Sequence, residues 1–162
     1  MNKAGLSYPA ILKRITGIDI VNAGIAGTTS GTWYETSLDS TTNWGDWVNN
    51  EWFWREPQGS SLDYSGFDFA IIHLGINDIG NMGDTTIEEL VVTFETNINN
   101  IVTKLRENNR GIKIFIATII PSYASNYNAN YKSLNEKIVE IANASDDMYL
   151  LDLNTLSNLT MH

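Results

Sequence analysis

Phe67-Asp68-Phe69-Ala70-Ile71-Ile72-His73-Leu74-Gly75-Ile76-Asn77-Asp78 is an apolar run, interrupted only by Asp68 and His73, that stops at a glycine and a polar pair. The run from Phe67 to Leu74 is too short for a helix of usual length and rich in β-branched and aromatic side chains, so it predicts a strand buried on both faces. Ile112 to Ile120 repeats the pattern and is stopped by Pro121, which cannot donate to a sheet ladder. Between the two runs Ile87, Leu90, Val91, Phe94, Ile98, Ile101, Val102 and Leu105 recur at three- and four-residue spacing, which predicts a long amphipathic helix. Asp84-Thr85-Thr86 with Glu88 and Glu89 behind marks its start as a capping box, and Asn108-Asn109-Arg110-Gly111 marks its end.

The pattern continues in both directions. Downstream, Tyr131, Leu134, Ile138 and Ile141 predict a second helix and Met148 to Leu153 a last short strand. Upstream, Ser7-Tyr8-Pro9 opens a short helix closed by Gly17, and Ile18 to Ala23 reads as a strand running into Gly24-Ile25-Ala26-Gly27. Strands separated by helical segments require crossover connections, which predicts an α/β fold with a parallel sheet, flavodoxin-like, over residues 1–162 as one domain. The polar stretch from Thr28 to Ser65 reads as a long loop and holds all five Trp, namely Trp33, Trp44, Trp47, Trp52 and Trp54, with Tyr34 and Phe53.

Composition narrows the partners. A formal charge of −9 repels phosphate backbones and anionic lipid heads, so neither nucleic acid nor a membrane is expected as a partner. Without Cys there is no thiolate metal site and no cysteine nucleophile. The chemistry is sought at the carboxyl ends of strands, where open α/β sheets bind ligands. Two segments qualify: Asn22-Ala23-Gly24-Ile25-Ala26-Gly27-Thr28-Thr29-Ser30, and Gly75-Ile76-Asn77-Asp78. Glycine lets a reacting carbonyl approach a backbone N–H, and an Asn amide supplies a second neutral donor, so together they would make an oxyanion hole. Taken singly, the first is a turn or a weak phosphate cradle, without the Lys of a P-loop, and Asn77-Asp78 is a helix or turn cap.

Asn22-x-Gly24-x-x-Gly27-x-Thr29 resembles the second conserved block of the SGNH (GDSL-like) hydrolases, and Gly75-Ile76-Asn77-Asp78 resembles their third, the Gly-x-Asn-Asp element. Ser7-Tyr8-Pro9-Ala10 is similar to the helix start that follows the nucleophile loop of that family, and the resemblance spans nearly the whole chain. It implies a three-layer α/β/α sandwich, a carboxyl-ester hydrolase needing no cofactor and no metal, and an oxyanion held by the Gly27 N–H and the Asn77 amide. An ester substrate is implied; acyl esters of carbohydrates are expected because Trp and Tyr faces stack on sugars.

The family's Gly-Asp-Ser nucleophile block and its Asp-x-x-His block have no counterpart here. Leu38-Asp39-Ser40 lacks a strand before it, and the residue three before His162 is Leu159. Ser7 reads as a cap, Ser30 as a turn residue and His73 as a strand histidine. The chain is therefore expected to be an incomplete SGNH domain, inert as an esterase. The competing reading is a non-catalytic carbohydrate-binding or structural module of SGNH-like fold, with the Trp-rich segment as its binding surface. Loss of the nucleophile strand also predicts that the gap is closed, either by direct pairing of the strands ending near Ala23 and Leu74 or by self-association through the incomplete sheet.

Overall fold

The computed structural model describes residues 8–25, 27–37, 64–120 and 128–157. In chain order the elements are α1 (Tyr8–Thr16), α2 (Ser30–Ser37), β1 (Phe69–Ile72), α3 (Ile76–Gly80), α4 (Ile87–Asn108), β2 (Lys113–Ala117), α5 (Asn128–Ala142), β3 (Met148–Leu151) and α6 (Leu153–Leu156). The strands form a parallel sheet in the order β1-β2-β3, with Ile71 opposite Phe115 and Phe115 opposite Tyr149. β1 and β2 each feed a helical crossover to the next strand, so this is the expected parallel α/β, flavodoxin-like arrangement.

The long helix begins as its residues dictate. Thr86 is the N-cap, its hydroxyl accepting from the Glu89 N–H while the Glu89 carboxylate accepts from the Thr86 N–H. Its stripe of Leu90, Phe94, Ile98, Ile101, Val102 and Leu105 is buried, and α5 lies beside it with Tyr131, Leu134, Ile138 and Ile141 buried. Together with Ile72, Ile114 and Ile116 these side chains make one core cluster, so the Ile114 and Ile116 face of β2 is buried while Lys113 is exposed and Phe115 only partly covered. Across the sheet, Phe69, Phe115 and Tyr149 form a ring ladder, with Phe69 and Phe115 edge-to-face at 6.4 Å and Phe115 and Tyr149 stacked at 5.2 Å.

Two expectations are corrected. Ile18 to Ala23 is not a strand: Ile18 and Val21 are exposed, and β1 pairs only with β2 among the described residues. β-branched composition favours an extended backbone, but a strand also needs a ladder to satisfy its N–H and C=O groups, and this segment has none among the described residues. The expected direct pairing of that segment with β1 is therefore absent, and β1 is an edge of the described sheet. The Thr28 to Ser65 stretch is not wholly loop, since α2 occupies its beginning.

Candidate active site

β1 ends at Ile72, and the chain turns sharply at Gly75. That residue is the N-cap of α3 with φ 116°, a backbone region L side chains rarely adopt. A Cβ placed there would lie 2.9 Å from Ile119 Cδ1, 3.0 Å from Leu134 Cδ2 and 3.3 Å from a Phe94 ring carbon. Glycine is thus required twice over, by backbone angle and by the core pressing against it. Ile79, fully buried, anchors α3 from below, so Asn77 and Asp78 project from a first turn that the core holds in place.

The second segment reaches the same place from the other side. Asn22 accepts the Gly24 N–H at 3.1 Å, an Asx turn that bends the chain out of the extended stretch. Gly27 is exposed with φ 79°, and the Thr28 hydroxyl donates to the Ile25 carbonyl at 2.9 Å. Helix α2 then starts with a Thr-x-x-Thr form of the capping box. The Thr29 N–H donates to Thr32 Oγ1 at 2.8 Å and the Thr32 N–H to Thr29 Oγ1 at 3.2 Å.

The two segments meet through side chains. Asn77 Nδ2 donates to the Thr28 carbonyl at 3.0 Å. Asp78 accepts the Ser30 N–H at 3.1 and 3.0 Å and the Ser30 hydroxyl at 2.5 Å. Asn97 Nδ2 in α4 donates to the same hydroxyl at 3.0 Å, so Ser30 is held from both sides and is fully buried. Burial raises the Asp78 pKa above its ordinary value, more than the Ser30 hydrogen bonds lower it.

Ser30 is therefore not a turn residue, as its neighbours in sequence suggested, but the first residue of α2 and the hub of a buried polar network. Asn97 went unnoticed in the sequence reading. The available signal was a polar residue on the core-facing stripe of α4, three residues after Phe94 and four before Ile101. Asp78 is a cap, one of the two plainer expectations for Asn77-Asp78, and the helix whose first turn it satisfies through Ser30 is α2.

The remaining candidates separate. His73 lies one residue beyond β1 with an exposed side chain, and partial desolvation by the surrounding protein lowers its pKa. The Trp33 indole is buried in α2, donating Nε1–H to the Ala23 carbonyl at 2.9 Å and meeting Tyr64 edge-to-face at 5.9 Å. It packs the segment onto the core and offers no face to a sugar. Trp44, Trp47, Trp52, Trp54, Phe53, Ser7, Ser40, Pro121 and His162 lie outside the described residues. A hollow of about 200 Å³ opens at the carboxyl ends of β2 and β3, lined by Thr118, Tyr131, Asn135 and Asp152 among others, but neither Gly27 nor Asn77 lines it. No helix among the described residues is long and apolar enough to cross a membrane.

No curated protein and no solved structure gives a significant match to this chain. The profile of the GDSL-like Lipase/Acylhydrolase family, however, matches residues 2–160, taking in both glycine-bearing segments, the network between them and all three strands, and the chain belongs to that family.

Proposed function

We propose that Gly27 and Asn77 are the oxyanion donors of a carboxyl-ester hydrolase. Membership of the family makes the chain a hydrolase of SGNH type. The observation that supports the donor assignment is the hydrogen bond from Asn77 Nδ2 to the Thr28 carbonyl, which brings the Asn amide alongside the residue that follows Gly27. An Asn amide carries two hydrogens; Thr28 takes one, and the other is the donor assigned to the oxyanion. Gly27, an exposed residue with no side chain of its own, supplies the second through its N–H.

In this reading a serine hydroxyl attacks the ester carbonyl and passes its proton to a histidine, and the carbonyl oxygen takes up negative charge against these two donors. The C–O bond to the alcohol then breaks, the alcohol leaves with the proton, and water repeats the sequence on the acyl-enzyme. Ser30 is unsuited as nucleophile, being buried and already donating to Asp78. The proposed substrates are short acyl esters. With Trp33 buried, carbohydrate esters rest on the Trp residues outside the described ones.

The test uses two proteins, this 162-residue chain and a form extended by a Gly-Asp-Ser strand at its start and an Asp-x-x-His loop at its end. The chain should neither hydrolyse short-chain esters nor label with a fluorophosphonate, because oxyanion donors without their nucleophile give little turnover. The extended form should do both, and Asn77→Ala within it should lower kcat by roughly 10²–10³. Unchanged kcat in that variant would remove Asn77 from the role, and labelling of Ser30 in the shorter chain would move the nucleophile.

A further inference from the structure

We propose that Asp78 is a positioning residue that, acting through Ser30, holds the Gly27–Thr28 turn in register with the Asn77 amide. The inference deepens the oxyanion reading and rests on it for its catalytic meaning, while its geometric content stands alone.

Asn77 and Asp78 are consecutive on the first turn of α3, yet their side chains grip two different points of one loop. Asn77 holds the Thr28 carbonyl, and Asp78 holds both the N–H and the hydroxyl of Ser30, two residues further on. Two anchors that close together leave the intervening backbone little freedom to rotate, which a single anchor would not achieve. The second anchor is also the firmer, since hydrogen bonds to an ionised carboxylate are the stronger class.

The carboxylate sits where a helix start favours an anion. Thr29 and Thr32 satisfy each other's N–H groups, leaving the Ser30 N–H as a first-turn donor of α2 that its own helix cannot satisfy. Asp78 takes it and faces the positive end of the helix dipole. Behind Ser30, Asn97 donates to the hydroxyl oxygen, so the Ser30 proton is directed at Asp78 rather than at solvent. Close packing accompanies this geometry: a Cβ at Gly31 would meet Asn97 Nδ2 at 3.1 Å, so a larger residue there would require the Asn97 amide to shift by a few tenths of an ångström.

An ordinary helix cap would explain stability but not the placement of Asn77. The two are separated by solution NMR on the 162-residue chain without substrate, comparing Asp78→Asn and Ser30→Ala with Thr86→Ala, which removes a remote cap at the start of α4. The readouts are the side-chain amide signals of Asn77, the backbone signals of Gly27 and Thr28, and the exchange rate of the Ser30 amide. Asp78→Asn should accelerate that exchange about tenfold or more, as expected for loss of a hydrogen bond to a charged group. Both site variants should displace the Asn77 and Thr28 signals, and Thr86→Ala should not, even where it lowers the melting temperature as much.

If Asp78→Asn does not fold, Ser30→Ala, which removes only a hydroxyl, answers the same question. Asn77 and Thr28 signals that stay in place in folded Ser30→Ala or Asp78→Asn would reduce Asp78 to a helix cap and overturn the proposal. Because no turnover is measured, failure of Asn77→Ala to affect hydrolysis would overturn the oxyanion reading without touching this one. In the extended form the same coupling predicts that Asp78→Asn lowers kcat with KM little changed.

Discussion

Two aspartates hold serine hydroxyls at opposite ends of the sheet, and almost everything else about them differs. Asp78 follows the carboxyl end of β1, accepts from buried Ser30 and has no paired cation among the described residues. Asp147 precedes the amino end of β3, is 39% exposed, accepts from Ser145, and is bridged by Arg106, whose Nε lies 2.9 Å from Oδ2. Burial raises the first pKa and the Arg106 hydrogen bond lowers the second. The same pair of residue types thus does different work. At the amino end a solvated ion pair ties α4 to β3, whereas at the carboxyl end a desolvated carboxylate is kept because it fixes a loop. A buried carboxylate whose pKa is raised by desolvation at the carboxyl end agrees with the site proposed there.

Glycine gives the sharpest form of this contrast. Gly75 and Gly111 both have positive φ, 116° and 78°, but Gly75 presses against Ile119, Leu134 and Phe94 whereas nothing lies within 4 Å of a Cβ at Gly111. Gly111→Ala should cost about 1 kcal/mol, the backbone penalty alone. Gly75→Ala adds overpacking of a closed core and should cost about 2–5 kcal/mol by chemical denaturation. Equal losses at the two sites would mean that the core gives way around Gly75 and that the carboxyl end is no more constrained than the other.

Removing the carboxylates themselves comes next in size. Asp78→Ala leaves a buried N–H and hydroxyl of Ser30 without their acceptor, a loss of about 2–3 kcal/mol. Asp147→Ala breaks a pair that water can replace, and should cost about 1 kcal/mol or less. Thermal and urea denaturation of the two variants side by side measures the difference. A larger loss at Asp147 would reverse the assignment of the carboxyl end as the constrained one.

How far the sequence disclosed this contrast follows from what each feature depends on. The helices α4 and α5 and the strands β1, β2 and β3 depend on local periodicity and caps, and Thr86 with Glu89 is legible letter by letter. That the Gly27 and Asn77 segments meet was expected from the family resemblance, although the segment before Gly27 is no strand and the link runs through the Thr28 carbonyl. Ile18 to Ala23 misled because strand formation depends on a partner that residues 18–23 cannot encode by themselves. Ser30 and Asn97 escaped because their roles arise only when residues 48 and 67 positions from Ser30 come together. α2 escaped for a similar reason: its sequence has almost no apolar stripe, and it is secured by the Trp33 indole and by Asp78 rather than by helical periodicity.

Acidity gives the subtlest test, because the two aspartates should respond with opposite signs. Asp78 has a folded-state pKa above its ordinary value of 3.8, so the folded chain binds that proton more tightly than the unfolded chain does. Its titration therefore contributes stability that is present below that ordinary value and is lost as pH rises through the raised one. Asp147 has a folded-state pKa below 3.8, set first by the Arg106 hydrogen bond and then by Ser145, so its contribution is present above the ordinary value and is lost as pH falls through the lowered one. Denaturation curves at a series of acid pH values for the parent, Asp78→Asn and Asp147→Asn separate the two. Relative to Asp78→Asn, the parent should lose ground as pH rises; relative to Asp147→Asn, it should gain. The Asp147 effect should be the smaller and should fade in high salt, since an exposed pair is screened and a buried hydrogen-bonded carboxylate is not. Parallel trends in the two comparisons would show that Asp78 is solvated in solution, and the contrast between the two ends would fall with it.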